Sequence, residues 1–79
     1  MTFLHICARA YQIYRQKSLA KHPTWDELSD ADQRTAITGE YNEWLDAYYR
    51  CDVHGEHGEI AELLDLIVTA VRRIMELMK

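Results

Sequence analysis

The amino-acid sequence predicts an all-α chain: a small three-helix domain over residues 1–79, with two long helices meeting at a proline and tryptophan corner and a C-terminal apolar helix following. Three observations carry that prediction. Apolar residues recur at helical spacing in three separate runs, and the runs are parted by the sole proline, Pro23, and by the glycine-containing stretch 52–58. No segment alternates apolar and polar residues as a half-buried strand does.

The first helix is predicted from the cap residue Thr2 to about Ala20, because His5, Arg9, Gln12 and Gln16 mark a polar stripe at helical spacing. Phe3, Ile6, Cys7, Ala10, Ile13 and Tyr14 then face inward. Pro23 disfavours helical geometry at His22, so a corner forms at residues 21–24. Thr24, Trp25, Asp26 and Glu27 have the spacing of a capping box and start a short helical turn, with Trp25 as its anchor. Ser29 to Asp32 repeat that signal in weaker form.

A second long helix is predicted from about Asp30 to Arg50, with Ile37, Tyr41, Trp44, Leu45 and Tyr48 on its buried face. Gly39 inside it costs about 1 kcal/mol relative to alanine and marks either a close crossing or a bend. The third helix, Glu59 to Lys79, is apolar around most of its circumference. Ile60, Leu63, Leu64, Ile67, Val71, Ile74, Met75 and Met78 form one face, Leu66, Ala70 and Leu77 line a second, and only Glu62, Asp65, Thr69, Arg72 and Glu76 look made for water. A surplus apolar face on a short chain implies a partner, and the sequence reading is a homodimer through Leu66, Ala70 and Leu77.

The formal charge of −4 is unevenly spread. Residues 1–22 hold Arg9, Arg15, Lys17 and Lys21 and no acid, whereas residues 23–65 hold all of the 13 acids except Glu76. An acidic surface suits docking onto a basic protein surface, including one that normally holds nucleic acid, and disfavours direct nucleic-acid binding. The N-terminus has no basic leader, the C-terminal run is interrupted by Asp65, Arg72 and Arg73, and the two cysteines do not make a disulfide framework. A cytoplasmic chain with reduced thiols, without membrane contact, is the expectation.

Chemistry-bearing groupings are sparse. Cys51, His54 and His57 are metal-capable residues at spacing of three, but a structural zinc needs a fourth ligand, and His5 and Cys7 lie two apart on a helix and point apart. No nucleophile with a base, no phosphate-binding glycine loop and no calcium-loop pattern is present, so neither an enzyme nor a cofactor is expected.

Pro23-Thr24-Trp25-Asp26-Glu27-Leu28 followed by Arg34 resembles a pattern of short helical proteins of phages and prophages, where a tyrosine-rich helix precedes a proline, tryptophan and leucine corner. The resemblance implies a small accessory protein of a mobile element, a class rich in non-enzymatic inhibitors of host defence such as anti-CRISPR proteins. The combined expectation is a protein-binding module that blocks a host protein or complex, through Asp26, Glu27, Asp30, Asp32, Glu40, Glu43 and Asp46 with Tyr49 as an aromatic anchor. The alternatives are a nucleic-acid-binding regulator using the basic first helix and a metal-stabilised structural module.

Overall fold

The computed structural model describes residues 2–79 and is all-α, with three long helical segments and no strand among the described residues. The first segment begins as α1 (Phe3–Ile13), passes through a π turn at Tyr14–Ser18 and ends in a last α turn at Leu19–Lys21. A 3₁₀ turn at Trp25–Glu27 forms the corner, followed by α2 (Asp30–Tyr49) and α3 (Glu59–Leu77).

The helix starts follow local chemistry. Thr2 Oγ1 accepts from the His5 amide at 3.3 Å and Ser29 Oγ accepts from the Asp32 amide at 3.1 Å, each satisfying a free donor of the first turn. The stronger of the two signals at the corner, Thr24 with Glu27, yields only the 3₁₀ turn. Thr24 sits at φ −113°, ψ 36° instead of in the extended region a cap needs, so its side chain caps nothing. The period of α1 gives no hint of the π turn. There the register slips, burying Ser18 so that its carbonyl and hydroxyl accept from Arg72 Nη1 of α3 at 2.9 and 3.2 Å.

Cross-contacts define the packing. Asp30 and Gln33 at the start of α2 accept from Arg73 Nη1 at 2.8 and 2.7 Å, Trp44 Nε1 donates to Glu59 Oε1 at 3.1 Å, and Arg50 Nη2 donates to the His57 carbonyl at 3.0 Å. α2 and α3 therefore run antiparallel, with α1 laid against α3. Trp25 is buried at the corner: its carbonyl accepts from Gln33 Nε2 at 2.9 Å, and the Arg72 guanidinium lies 5.3 Å from its ring centre. Gly39 has nothing within 4 Å of an added Cβ, so it marks no close crossing.

The apolar core is thin: Trp25, Ala47, Leu64 and Val68 are its buried hydrophobic residues, beside the buried polar Ser18, Gln33, Glu40, Glu62 and Thr69. This reverses the expected orientation of α3. Glu62 and Thr69, read as water-facing, point inward, while Ile60, Ile67, Val71, Ile74 and Met75 of the supposed core face are 41–52% exposed. Phe3 and Cys7 of α1, and Tyr41 and Tyr48 of α2, are likewise exposed instead of inward. The polar stripe of α3 meets the first segment there: Arg72 donates to the buried Ser18 and Asp65 faces Lys17, while Glu40 is served by Lys21.

α2 ends in a Schellman motif. The Asp52 amide bonds to the Ala47 carbonyl at 3.2 Å and the Cys51 amide to the Tyr48 carbonyl at 3.1 Å, which places Cys51 at φ 57°. A side chain bearing Cβ is strained there and glycine is not. Cys51→Gly is therefore expected to stabilise the fold by about 1 kcal/mol in urea denaturation; a loss of stability would show that the Cys51 side chain contributes more than its backbone strain costs.

Candidate functional site

The inward stripe of α3 meets α2 in an open groove of about 620 Å³, lined by Lys17, Ser18 and Lys21 from the first segment, Glu40, Glu43 and Asp46 from α2, and Glu62, Asp65 and Thr69 from α3. Its acids come as two helical pairs. Glu40 and Glu43 are three apart on α2, Glu62 and Asp65 three apart on α3, and that spacing puts each pair on one helix face. Because the helices are antiparallel and in contact, the pairs converge: carboxylate oxygens of Glu40, Glu62 and Asp65 all lie within 4.8 Å of one another.

Burial makes this convergence costly. Glu40 and Glu62 are only 4% and 5% exposed, and one oxygen of each, Oε2 in both, is buried without a hydrogen-bond partner. Their other oxygens are partly served. Lys21 Nζ donates to Glu40 Oε1 at 2.7 Å, and His57 Nδ1 lies 3.4 Å from Glu62 Oε1. Lys17 Nζ stands 3.8 Å from Asp65 Oδ1, whose backbone carbonyl accepts from Thr69 Oγ1 at 2.9 Å. Two ammonium groups thus face four carboxyl groups, and the deficit is positive charge.

The titration of the groups reflects that deficit. Glu43 is pushed up from 4.5 to about 6, first by burial, then by hydrogen bonding to Glu40 and by the Glu40 charge. Burial also raises Asp65, against the pull of Lys17. Lys21 is raised chiefly by its hydrogen bond to Glu40. At the groove end His22 is lowered by desolvation and by Lys21 and Arg72, and its buried Nε2 has no partner.

Hard oxygen donors with a charge deficit suit a hard divalent cation, Mg²⁺ above all. Oxygens opposite each other across a Mg²⁺ octahedron are about 4.2 Å apart, so small rotations of these carboxylates close on one ion. The three come from facing helices, Glu40 from one and Glu62 and Asp65 from the other, an arrangement that bundle cores use for metal sites, and Glu43 stands at the groove rim.

The residues expected from sequence are divided by the fold. Glu40 is buried in this groove, on the α3-facing side of α2, and so does not belong with a surface acidic patch, whereas Glu43 lines the same groove and is exposed. Asp46 lines the groove end and is held by Arg50 Nε at 2.9 Å. Asp26, Glu27 and Asp32 are exposed at the corner, Asp30 is engaged by Arg73, and Tyr49 is 73% exposed. Leu66 and Ala70 are half-buried while Leu77 is exposed. Cys51, His54 and His57 are all exposed, with His57 turned to Glu62; Cys7 and Cys51 are free thiols. Lys17 and Lys21 of the basic first segment pair with Asp65 and Glu40 at the groove and stay more than half exposed. Among the described residues no helix is long and apolar enough to cross a membrane.

The groove acids Glu62 and Asp65 escaped notice as a site because a charged stripe on a helix reads as its solvated face. The available signal was the pairing of two acidic i, i+3 motifs on helices joined by a short loop. No family model, curated protein or solved structure matches this chain.

The raised carboxyls give a signed pH dependence. An acid whose folded pKa exceeds its unfolded value adds stability below the unfolded pKa and loses that contribution as pH rises through the folded one. For Glu43 the window runs from 4.5 to about 6. In chelator, the melting temperature is expected to fall across that window, and Glu43→Gln to flatten the fall; an unchanged slope in the variant would remove Glu43 from the cause.

Proposed function

We propose that this protein binds a divalent cation between Glu40, Glu62 and Asp65 and uses it, with Glu43 beside them, to hydrolyse a phosphoanhydride, with nucleoside triphosphates as the substrate class. The single observation that carries the reading is the pair of buried, unpartnered carboxylate oxygens on Glu40 and Glu62, beside Asp65 in a groove short of positive charge. Burying such oxygens is costly without a counter-charge, and a Mg²⁺ held by carboxylates keeps open positions that substrate phosphates fill. Lys17, Lys21 and Arg50 on the same groove suit the remaining phosphate charge, and a groove of about 620 Å³ is of a size to hold a nucleotide.

Glu40, Glu62 and Asp65 would hold the cation, which would supply positive charge to the phosphate oxygens, and Glu43 takes a proton from the attacking water. The water oxygen bonds to phosphorus, the anhydride P–O bond breaks, and the leaving phosphate departs with the bonding electron pair, its charge met by Lys17 or Lys21. Glu43 lines the groove beside Glu40 and is a carboxylate left outside the three that converge.

A second reading keeps the expected role of a protein-binding inhibitor, favoured by the exposed acids Asp26, Glu27 and Asp32 at the corner and by exposed Tyr49. This surface lies outside the acidic groove, so the two readings separate. Phosphate or pyrophosphate release from a panel of nucleoside triphosphates with Mg²⁺ or Mn²⁺ is expected, abolished by chelator. Glu62→Gln is expected to lose about 100-fold or more, since even a partner one shell removed from a metal costs 10–100-fold. Reversing Asp26, Glu27 and Asp32 to lysine is expected to leave turnover intact. No cation-dependent turnover with any triphosphate would remove the hydrolase reading.

A further inference from the structure

The outward face of α3 has no use in the proposed chemistry, and its pattern is regular. Ile60, Ile67 and Ile74 repeat every seven residues, and Leu63, Ala70 and Leu77 repeat three residues after each. This is a heptad seam with isoleucine at every first position, and leucine, alanine and leucine at the fourth. Ile60, Leu63, Ile67, Ile74 and Leu77 are 38–65% exposed, and Val71, Met75 and Met78 widen the seam with further exposed apolar surface. The charged side chains Glu62, Asp65, Arg72, Arg73 and Glu76 all turn toward the rest of the chain and are buried or half-buried. A helix on the surface of a soluble domain carries its charges outward; here the outward arc carries none.

We infer that a second copy of this chain covers that arc, the two α3 helices pairing along Ile60, Leu63, Ile67, Ala70, Ile74 and Leu77. The seven-residue period is self-matching: a two-fold axis sets layers of the same seam against each other, and isoleucine at the first position with leucine at the fourth favours two strands. The exposed apolar side chains of α3 together offer several hundred Å², on the scale of the roughly 800 Å² per partner of a standard interface. A charge-free arc gives a different protein no complementary charge to select by, and it lacks the basic flanks that hold an amphipathic helix on a lipid surface. The need is also energetic, because four buried hydrophobic residues are a small core for a chain of this length and association is a usual remedy.

The seam points away from the acidic groove, so pairing leaves the groove open and the inference does not rest on the proposed hydrolysis. Light scattering on the full chain is the test. The wild type is expected to run at twice the 9.3 kDa protomer at micromolar concentration, and Ile67→Glu and Ile74→Glu to give a protomer of unchanged helicity. A wild type that stays a protomer at 0.5 mM, roughly a weak-millimolar limit on affinity, would overturn the inference, as would a dimer surviving both substitutions. Should the glutamate variants fail to fold, the wild-type melting temperature decides: a rise with protein concentration supports pairing, and independence of concentration contradicts it.

Discussion

Two buried carboxylates, Glu40 on α2 and Glu62 on α3, set the terms for the rest of this fold. Taking a carboxylate out of water is repaid only when charge and hydrogen bonds are supplied in its place. Here the first segment supplies Lys21 to Glu40 and Lys17 to Asp65, and the π turn brings Ser18 into the same interior, where Arg72 reaches it. The polar stripe of α3 must then face inward. Once it does, Leu64 and Val68 stay in the core beside it and most of the other apolar residues of the helix face outward.

That inversion links the two unusual features of the molecule. A chain with four buried hydrophobic side chains spends its interior on acids, and leaves its longest apolar surface uncovered. The remaining oxygens of Glu40 and Glu62 lack partners on the inside, and the isoleucine seam lacks one on the outside. The proposed cation and the inferred second protomer would answer these two deficits on opposite sides of one helix. Trp25, held by Gln33 and Arg72, fixes the corner that keeps the first segment over the groove.

Much of the architecture was legible from the residues. The three helical runs, the break before Pro23, the caps at Thr2 and Ser29 and the surplus apolar character of α3 follow from local chemistry, which acts over a turn or two. What was not legible depends on contacts between elements. The helical period of α3 yields an apolar face and a polar stripe but not which of them meets the rest of the chain, and the ordinary rule of apolar residues inside gives the wrong answer for Glu62 and Thr69. Glu40 and Glu43 were visible as acids on one face of α2, yet without the opposing Glu62 and Asp65 they read as solvated charge. The register slip at Tyr14–Ser18 has no marker in the sequence, since no proline or glycine stands near it.

If the inward turn of α3 exists to build a cation site, the ion is part of the folded state and must stabilise it by mass action. The direct measurement is the melting temperature of chelator-stripped protein titrated with Mg²⁺ or Mn²⁺ at neutral pH, beside the same titration of Glu62→Gln. A saturable rise of several degrees in the wild type, absent in the variant, is the expected result. A melting temperature that does not respond to either ion, in protein whose helicity is intact, would contradict the cation site and leave the buried oxygens of Glu40 and Glu62 without the partner on which the proposed chemistry depends.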